Sequence, residues 1–170
     1  MDYNEEYLLK KIEEIGIDDE EEAERILAFY NVGQNKFDND EELTEYLDDI
    51  CSNFDSDTNT MDYGGEYLIL TDEEADEAVK ESILSSVEYF NPDWVSYYTS
   101  IDDEEAIRAI QDTRNANETL ISLMKAENRL EDFIEDSVSA DGRGHFLNTY
   151  DGSEYEEKVN RTDYYIYQIN

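Results

Sequence analysis

The sequence predicts a mainly α-helical α+β fold, a helical domain closed by a short C-terminal β-hairpin, on three observations. Apolar residues recur three and four apart through most of the chain, the spacing that lines one face of a helix. Asp or Thr followed by a run of acids precedes several of these stretches, and carboxylates there cap the free N–H groups and suit the positive end of the helix dipole. Strand-like alternation is clearest near the end, over Tyr164–Ile169.

Tyr7, Leu8, Lys11, Ile12 and Ile15 mark a first helix over residues 3–15, stopped by Gly16. Asp18 reads as the cap of a second helix whose apolar face is Ala23, Ile26, Leu27 and Tyr30, followed by a turn-rich loop at Asn31–Asp38. A third helix runs from about Asp40 to Asn53 with Leu43, Tyr46, Leu47 and Ile50 inward. The polar stretch Asp55–Gly65 reads as a loop, and it separates an acidic N-terminal helical region, residues 1–62, from a second region, 63–170. Tyr67–Leu70 predicts a short strand, and Thr71-Asp72-Glu73-Glu74 is a capping box. The helix after it uses Ala75, Val79, Ile83 and Val87 and reaches Tyr89 or Phe90, where Asn91-Pro92 breaks it. Trp94, Val95, Tyr97 and Tyr98 form a compact aromatic helix or turn. Helices over Asp103–Asn115, Asn117–Lys125 and Arg129–Ser139 follow, the first two continuous or separate. His145–Tyr150 is short and apolar, Asp151-Gly152 is a turn, and Glu154–Val159 pairs with Tyr164–Ile169 across Asn160–Asp163.

Charge sets the functional expectation. There are 47 Asp plus Glu against 12 Lys plus Arg, a formal net of −35. Residues 1–62 hold 21 acids and 4 bases, so both regions carry the excess. Fourteen Tyr and six Phe supply material for a core that a disordered acidic tail would lack. Direct binding to DNA, RNA or an anionic membrane is disfavoured, because each needs a basic surface. A basic nucleic-acid-binding protein, such as a nuclease or CRISPR effector, is the natural complement. Thirty-five charges correspond to about 60 Å of duplex, whereas a compact chain of this length is about 40 Å across. The lone Cys51 permits no internal disulfide and fits a reducing, cytoplasmic setting. The opening residues lack the basic and apolar regions of a signal peptide, and no apolar run approaches the ~20 residues of a membrane span.

The acidic faces expected to meet a partner are Asp18, Asp19, Glu20, Glu21 and Glu22; Asp40, Glu41, Glu42, Glu45, Asp48 and Asp49; Asp72, Glu73, Glu74, Asp76, Glu77 and Glu81; and Asp102, Asp103, Glu104 and Glu105. Asp55, Asp57, Asn59 and Glu66 fall at the oxygen-ligand spacing of a calcium loop, but Thr60 stands where the sharp turn wants Gly, so a plain acidic loop is favoured over Ca²⁺. Asp141-Gly142-Arg143-Gly144-His145 holds the only histidine. It reads as a structural loop in which Arg143 and His145 are tied to carboxylates or carbonyls, in preference to an acid–base site. Cys51, in an acidic and apolar neighbourhood, is expected to be inert. No nucleophile-elbow, phosphate-loop or zinc-protease motif occurs, so no catalytic residue and no enzymatic activity are expected. Tyr7, Tyr46 and Tyr89 fit helix faces as core or boundary residues, whereas some of Tyr97, Tyr98, Tyr164 and Tyr165 must be exposed and suit a protein interface.

Four segments carry a family resemblance over about residues 66–170: Tyr67–Glu74 (YLILTDEE), Asn115-Ala116-Asn117, Asp141–Gly152 (DGRGHFLNTYDG) and Tyr164–Asn170 (YYIYQIN). On these the chain resembles a family of small acidic proteins encoded by tailed bacteriophages, with DGRGHFL-x-x-YDG as the specific part. The resemblance implies a phage origin and action in the host cytoplasm. It supplies no activity and no catalytic residue.

Three readings of the charge compete. A DNA-mimic decoy of the anti-restriction or anti-CRISPR kind presents carboxylates in place of phosphates; an acidic metal-binding or accessory protein uses 55–66 or 141–145; halophilic adaptation needs no partner. Self-repulsion of 35 surplus charges destabilises the compact state and is screened by salt. The melting temperature is therefore expected to rise as NaCl increases from about 0.01 to 0.5 M, and folding in dilute buffer dismisses the halophilic reading.

Overall fold

The computed structural model describes residues 3–33 and 36–170. Met1, Asp2 and the middle of the expected 31–38 loop, Gln34 and Asn35, lie outside the described residues. The fold is mainly helical with a small antiparallel sheet, its last two strands forming the expected hairpin. The chain divides into two units, one from residues up to 75 together with 147–170, the other from 76–146. The position 62/63, marked on composition, lies inside the first unit.

The first unit packs helices α1 (Glu5–Ile15), α2 (Glu20–Val32) and α3 (Asp40–Ser52) with a sheet. Asn4, Asp19 and Asn39 cap them, each side chain accepting the N–H three residues on. Asp19, one residue later than expected, caps α2, because its carboxylate reaches Glu22 N at 3.0 Å. Ala23 through Tyr30 are all buried, so α2 is covered all round, with α1 and the sheet packed against it.

The sheet order is β1-β2-β3-β5-β4, with β1 (Phe54–Asp55), β2 (Thr60–Asp62), β3 (Glu66–Thr71), β4 (Tyr155–Val159) and β5 (Thr162–Gln168). The stretch read as a loop at 55–65 therefore contains paired strands. They are two and three residues long with Met61 as their one fully buried side chain, too short to show alternation. Gly65 sits at φ 153° where a Cβ would meet Gln168 Nε2 at 3.0 Å and the Asn170 carbonyl at 3.1 Å, so the turn into β3 requires glycine. Ile69 faces Ile166 across β3 and β5, and both join Ile12, Ile26, Leu27, Leu43, Leu47 and Ile50 in one core.

A polar network runs through that core. Arg25, 3% exposed, donates to the Ile69 carbonyl at 2.7 Å and to Glu74 at 2.9 Å, pairs with Glu21, and lies over the Tyr164 ring. Glu24, also buried, accepts from the Tyr164 hydroxyl at 2.8 Å and from Asn160 in the hairpin turn.

The second unit is helical. Helix α4 (Asp72–Ser85) spans the division between the units. It stops at Ser85, short of the expected Tyr89, and a 3-10 turn follows at Val87–Tyr89. Ser85 and Ser86 hydroxyls compete for the Ser82 carbonyl, and Asn117 Nδ2 takes the Leu84 carbonyl. Pro92 then opens α5 (Pro92–Thr99) at its first turn, with Asn91 as cap. Helices α6 (Glu104–Gln111) and α7 (Ala116–Ala126) are separate, and α8 (Leu130–Asp141) completes the unit's long elements. Gly142, at φ 77°, turns the chain into a five-residue helix α9 (Arg143–Leu147) where a loop was expected. Phe133 is the packing centre, with Phe90 at 5.0 Å and Tyr98 at 5.3 Å between ring centres.

Burial opposes ionisation of Glu74, but hydrogen bonds from Arg25 and from the Thr71 N–H and hydroxyl outweigh it and hold its carboxyl below the usual range. A lowered folded-state value contributes stability above the unfolded value of about 4.3, lost as pH falls through the folded one. Glu74→Gln is expected to cost about 1–2 kcal/mol at pH 7, allowing for partial exposure. In urea titrations the gap from the parent protein should narrow steadily below about pH 4.

Candidate functional site

Carboxylates converge most closely in the first unit. Glu5, Glu6 and Glu13 of α1 and Asp18, Asp19 and Glu20 at the start of α2 line one cleft of about 570 Å³. Its floor includes Leu9, Ile17 and Ala23, and Lys10 is the only cation in its lining. Helix α3 contains no Lys or Arg. Its exposed Glu41, Glu45, Asp48 and Asp49 stand at helical spacings that place them on one face, and no described Lys or Arg pairs with them. Along α4, Glu73, Glu77 and Glu81 are exposed at intervals of four. Asp102 and Glu105 are exposed at the start of α6.

Other acids from the same stretches do internal work. Glu21 and Glu74 hold Arg25, and Asp40 takes Lys11 at 3.0 Å together with the Tyr7 hydroxyl. Asp76 holds Arg143 at 3.1 Å, Glu104 pairs with Arg108, and Asp103 caps α6. Glu42 folds back on the Asp38 N–H and the Asn39 side chain, and Glu22 is half-buried. Asp72 is exposed on the first turn of α4. At least eight of the twelve Lys and Arg are paired within the molecule: Lys10, Lys11, Arg25, Lys80, Arg108, Arg129, Arg143 and Lys158.

The calcium-loop residues are not gathered. Asp55 accepts from the Asp57 N–H at 3.0 Å, Asn59 donates to Glu74 at 3.3 Å, and Glu66 lies on β3. Among the described residues no group of three or more His, Cys, Asp or Glu is placed to hold a metal ion. The DGRGHFLNTYDG segment is largely occupied with structure. Besides the Arg143–Asp76 pair, buried Asn148 accepts from the Tyr150 and Asp151 N–H groups at 3.0 Å and donates to the Ser153 carbonyl at 2.7 Å. The Thr149 hydroxyl donates to the Ile169 carbonyl at 2.6 Å. His145 instead is exposed, with its ring edge-on to Phe146 at 5.0 Å.

His145 belongs to a feature the sequence reading missed. In the second unit Ser86, Tyr89, Phe90, Asn91, Trp94, Ala140, Asp141, His145 and Phe146 line a cleft of about 560 Å³. Tyr89 was assigned to a helix face, but α4 ends before it and its ring is 81% exposed. Tyr97 is 66% exposed, as expected of one member of its run, whereas Tyr98 and Tyr164 are buried. The aromatic run itself was the available signal; what hid the cleft was the return of α8 and α9, about 45 residues later, to form its other wall.

Among the described residues no helix is long and apolar enough to cross a membrane. Comparison with protein-family models, curated proteins and solved structures returns no match.

Cys51 is buried, and burial first, then the Asp48 and Glu22 charges, push its thiol up to about 12. Alkylation at pH 8 is expected to be at least about 100-fold slower in the folded chain than in urea. Equal rates would show an accessible, ordinary thiol.

Proposed function

We propose that this chain is a phage-type acidic decoy, which occupies the nucleic-acid-binding surface of a host defence or DNA-binding protein in the manner of anti-restriction and anti-CRISPR inhibitors. The observation that carries this reading is the α3 ridge. Glu41, Glu45, Asp48 and Asp49 span nine residues, about 12 Å of helix rise, in steps of roughly 6, 4.5 and 1.5 Å that average about 4 Å. One strand of duplex DNA presents a phosphate about every 3.4 Å. A row of carboxylates whose mean interval approaches that of phosphates, on a helix without Lys or Arg, supports engagement by a basic groove.

Two further features support the reading. The ridge belongs to a helix capped at Asn39 and anchored through fully buried Leu43, Leu47 and Ile50, so its charges are held on a fixed scaffold. The cleft between α1 and the start of α2 adds six more carboxylates in the same unit, of which Asp19 also caps α2 and Glu5 accepts from the Asn160 N–H. The phage origin rests on the sequence resemblance alone, and the decoy mechanism on charge geometry.

The test is capture from a host lysate at low salt, elution in a salt gradient, and competition of the captured protein with its own nucleic acid. Binding is expected to fall about tenfold or more between 50 and 200 mM salt, if several ionic contacts are made. Conversion of Glu41, Glu45, Asp48 and Asp49 to Gln and Asn should weaken capture by a similar factor while leaving the fold intact. A captured partner that holds its nucleic acid equally well with and without this chain, or whose affinity ignores salt, removes the reading.

A further inference from the structure

The 560 Å³ cleft of the second unit adjoins another of about 660 Å³, lined by Asn91, Asp93, Trp94, Tyr97, Tyr98, Asp136, Ser139 and Ala140. They share Asn91, Trp94 and Ala140, so they form one groove that meets at the indole. Its chemistry is aromatic and, apart from the imidazole of His145, anionic. Tyr89 and Tyr97 project into solvent, Asp93 and Asp141 are exposed on the rim, and no Lys or Arg lines either part. Exposed aromatic rings beside carboxylates are poorly explained by packing, because a ring left in water forfeits the burial that normally justifies it.

We propose that this groove is a receptor for an arginine side chain of a basic protein partner. Trp94 is pre-positioned for it. Its Nε1 donates to buried Ser137 at 3.2 Å, and its ring stands edge-on to Tyr98 at 5.4 Å. The polar handle of the indole is thus satisfied inward, and the part of the ring left uncovered offers only its π surface to a visitor. The guanidinium lies in the part lined by Tyr89, Trp94 and Asp141, with its charge toward Asp141.

The same unit contains an internal example of this recognition. Arg129 lies over the rings of Tyr97 and Tyr98, at 4.8 and 5.2 Å from their centres, while its Nε donates to Asp132 at 3.1 Å. Arg129 thus takes up the rings of the second part, and the same combination of aromatic surface and carboxylate recurs in the first part at Tyr89, Trp94 and Asp141. Arginine is favoured over lysine because its planar, weakly hydrated cation stacks on a ring and donates in-plane to a carboxylate at once. An anionic ligand is opposed by the rim and by the whole field of the molecule.

This inference stands on residues distinct from the α3 ridge, so the two can fail separately. Trp94 is the only tryptophan, and its emission reports directly on the groove. The full chain is titrated at constant ionic strength with the blocked tripeptide Gly-Arg-Gly, and with its lysine and neutral citrulline counterparts. The arginine peptide should give a saturable change with a dissociation constant on the order of 1 mM, lysine should bind several-fold more weakly, and citrulline should give no saturation. Tyr89→Ala, at an exposed position, should weaken arginine binding about fivefold or more with an unchanged circular dichroism spectrum. Asp141→Asn serves as a second variant with the same expected loss, and a Glu41→Gln/Glu45→Gln protein should bind the peptide as the parent does. No saturable change, equal binding of lysine or citrulline, or full binding by both groove variants overturns the proposal.

Discussion

The first unit depends on how it houses Arg25. Among the described residues it is the only buried Lys or Arg. Its guanidinium joins α2 to the β3 backbone at Ile69, to the first turn of α4 at Glu74 and to the face of Tyr164 on β5. Five donors in a rigid fork allow one side chain to bind several elements at once, which a lysine could not do. Removing a cation from water is costly, and the attraction of its partners roughly offsets that cost. What the arrangement supplies beyond stability is position, since one guanidinium meets α2, β3 and α4 together. Glu24 then needs Tyr164 and Asn160 for the same reason, which ties the hairpin to the same helix.

Helices were legible because their signals are local. The capping box at Thr71, the cap read one residue early at Asp18, and the periodic Leu, Ile and Val each act within a few residues. The C-terminal hairpin was legible through its alternation, and its turn proves tighter than expected, at Asn160-Arg161 with Asn160 at φ 54°. The pairs formed by β1 and β2 were not legible, since so few residues carry no period. Nor was the pairing of Arg25 with Glu74: the capping box gave Glu74 its contact with Thr71, but Arg25 sits among acids in a helical stretch and looks solvent-facing until the sheet is laid against α2. A sequence so rich in carboxylates conceals the few that are structural. Glu21, Asp40, Asp76 and Glu104 were indistinguishable by type from Glu41 or Glu81, and only the placement of a cation separates them.

Surplus charge and fold are accommodated by a division of labour along each helix. In α3 one face is Leu43, Leu47, Ile50 and Cys51, and the other is carboxylate. The apolar face must hold against the repulsion of the outer one, which explains why core positions are filled by large side chains at full burial. The second unit balances the same tension with aromatic rings, where Tyr98 packs edge to face on Phe133 and Phe90 lies tilted against it.

Strand order has a consequence for synthesis. β5 sits between β3 and β4, yet β3 and β5 are separated by some 90 residues that include the whole second unit. As the polypeptide emerges from the ribosome, β3 must wait with one edge bare until β5, some 90 residues later, is made. An unpaired edge invites pairing with a neighbouring chain. Asp62, Glu66, Asp72, Glu73 and Glu74 stand in and beside β3, and like charges along a bare edge oppose its pairing with another copy of the chain.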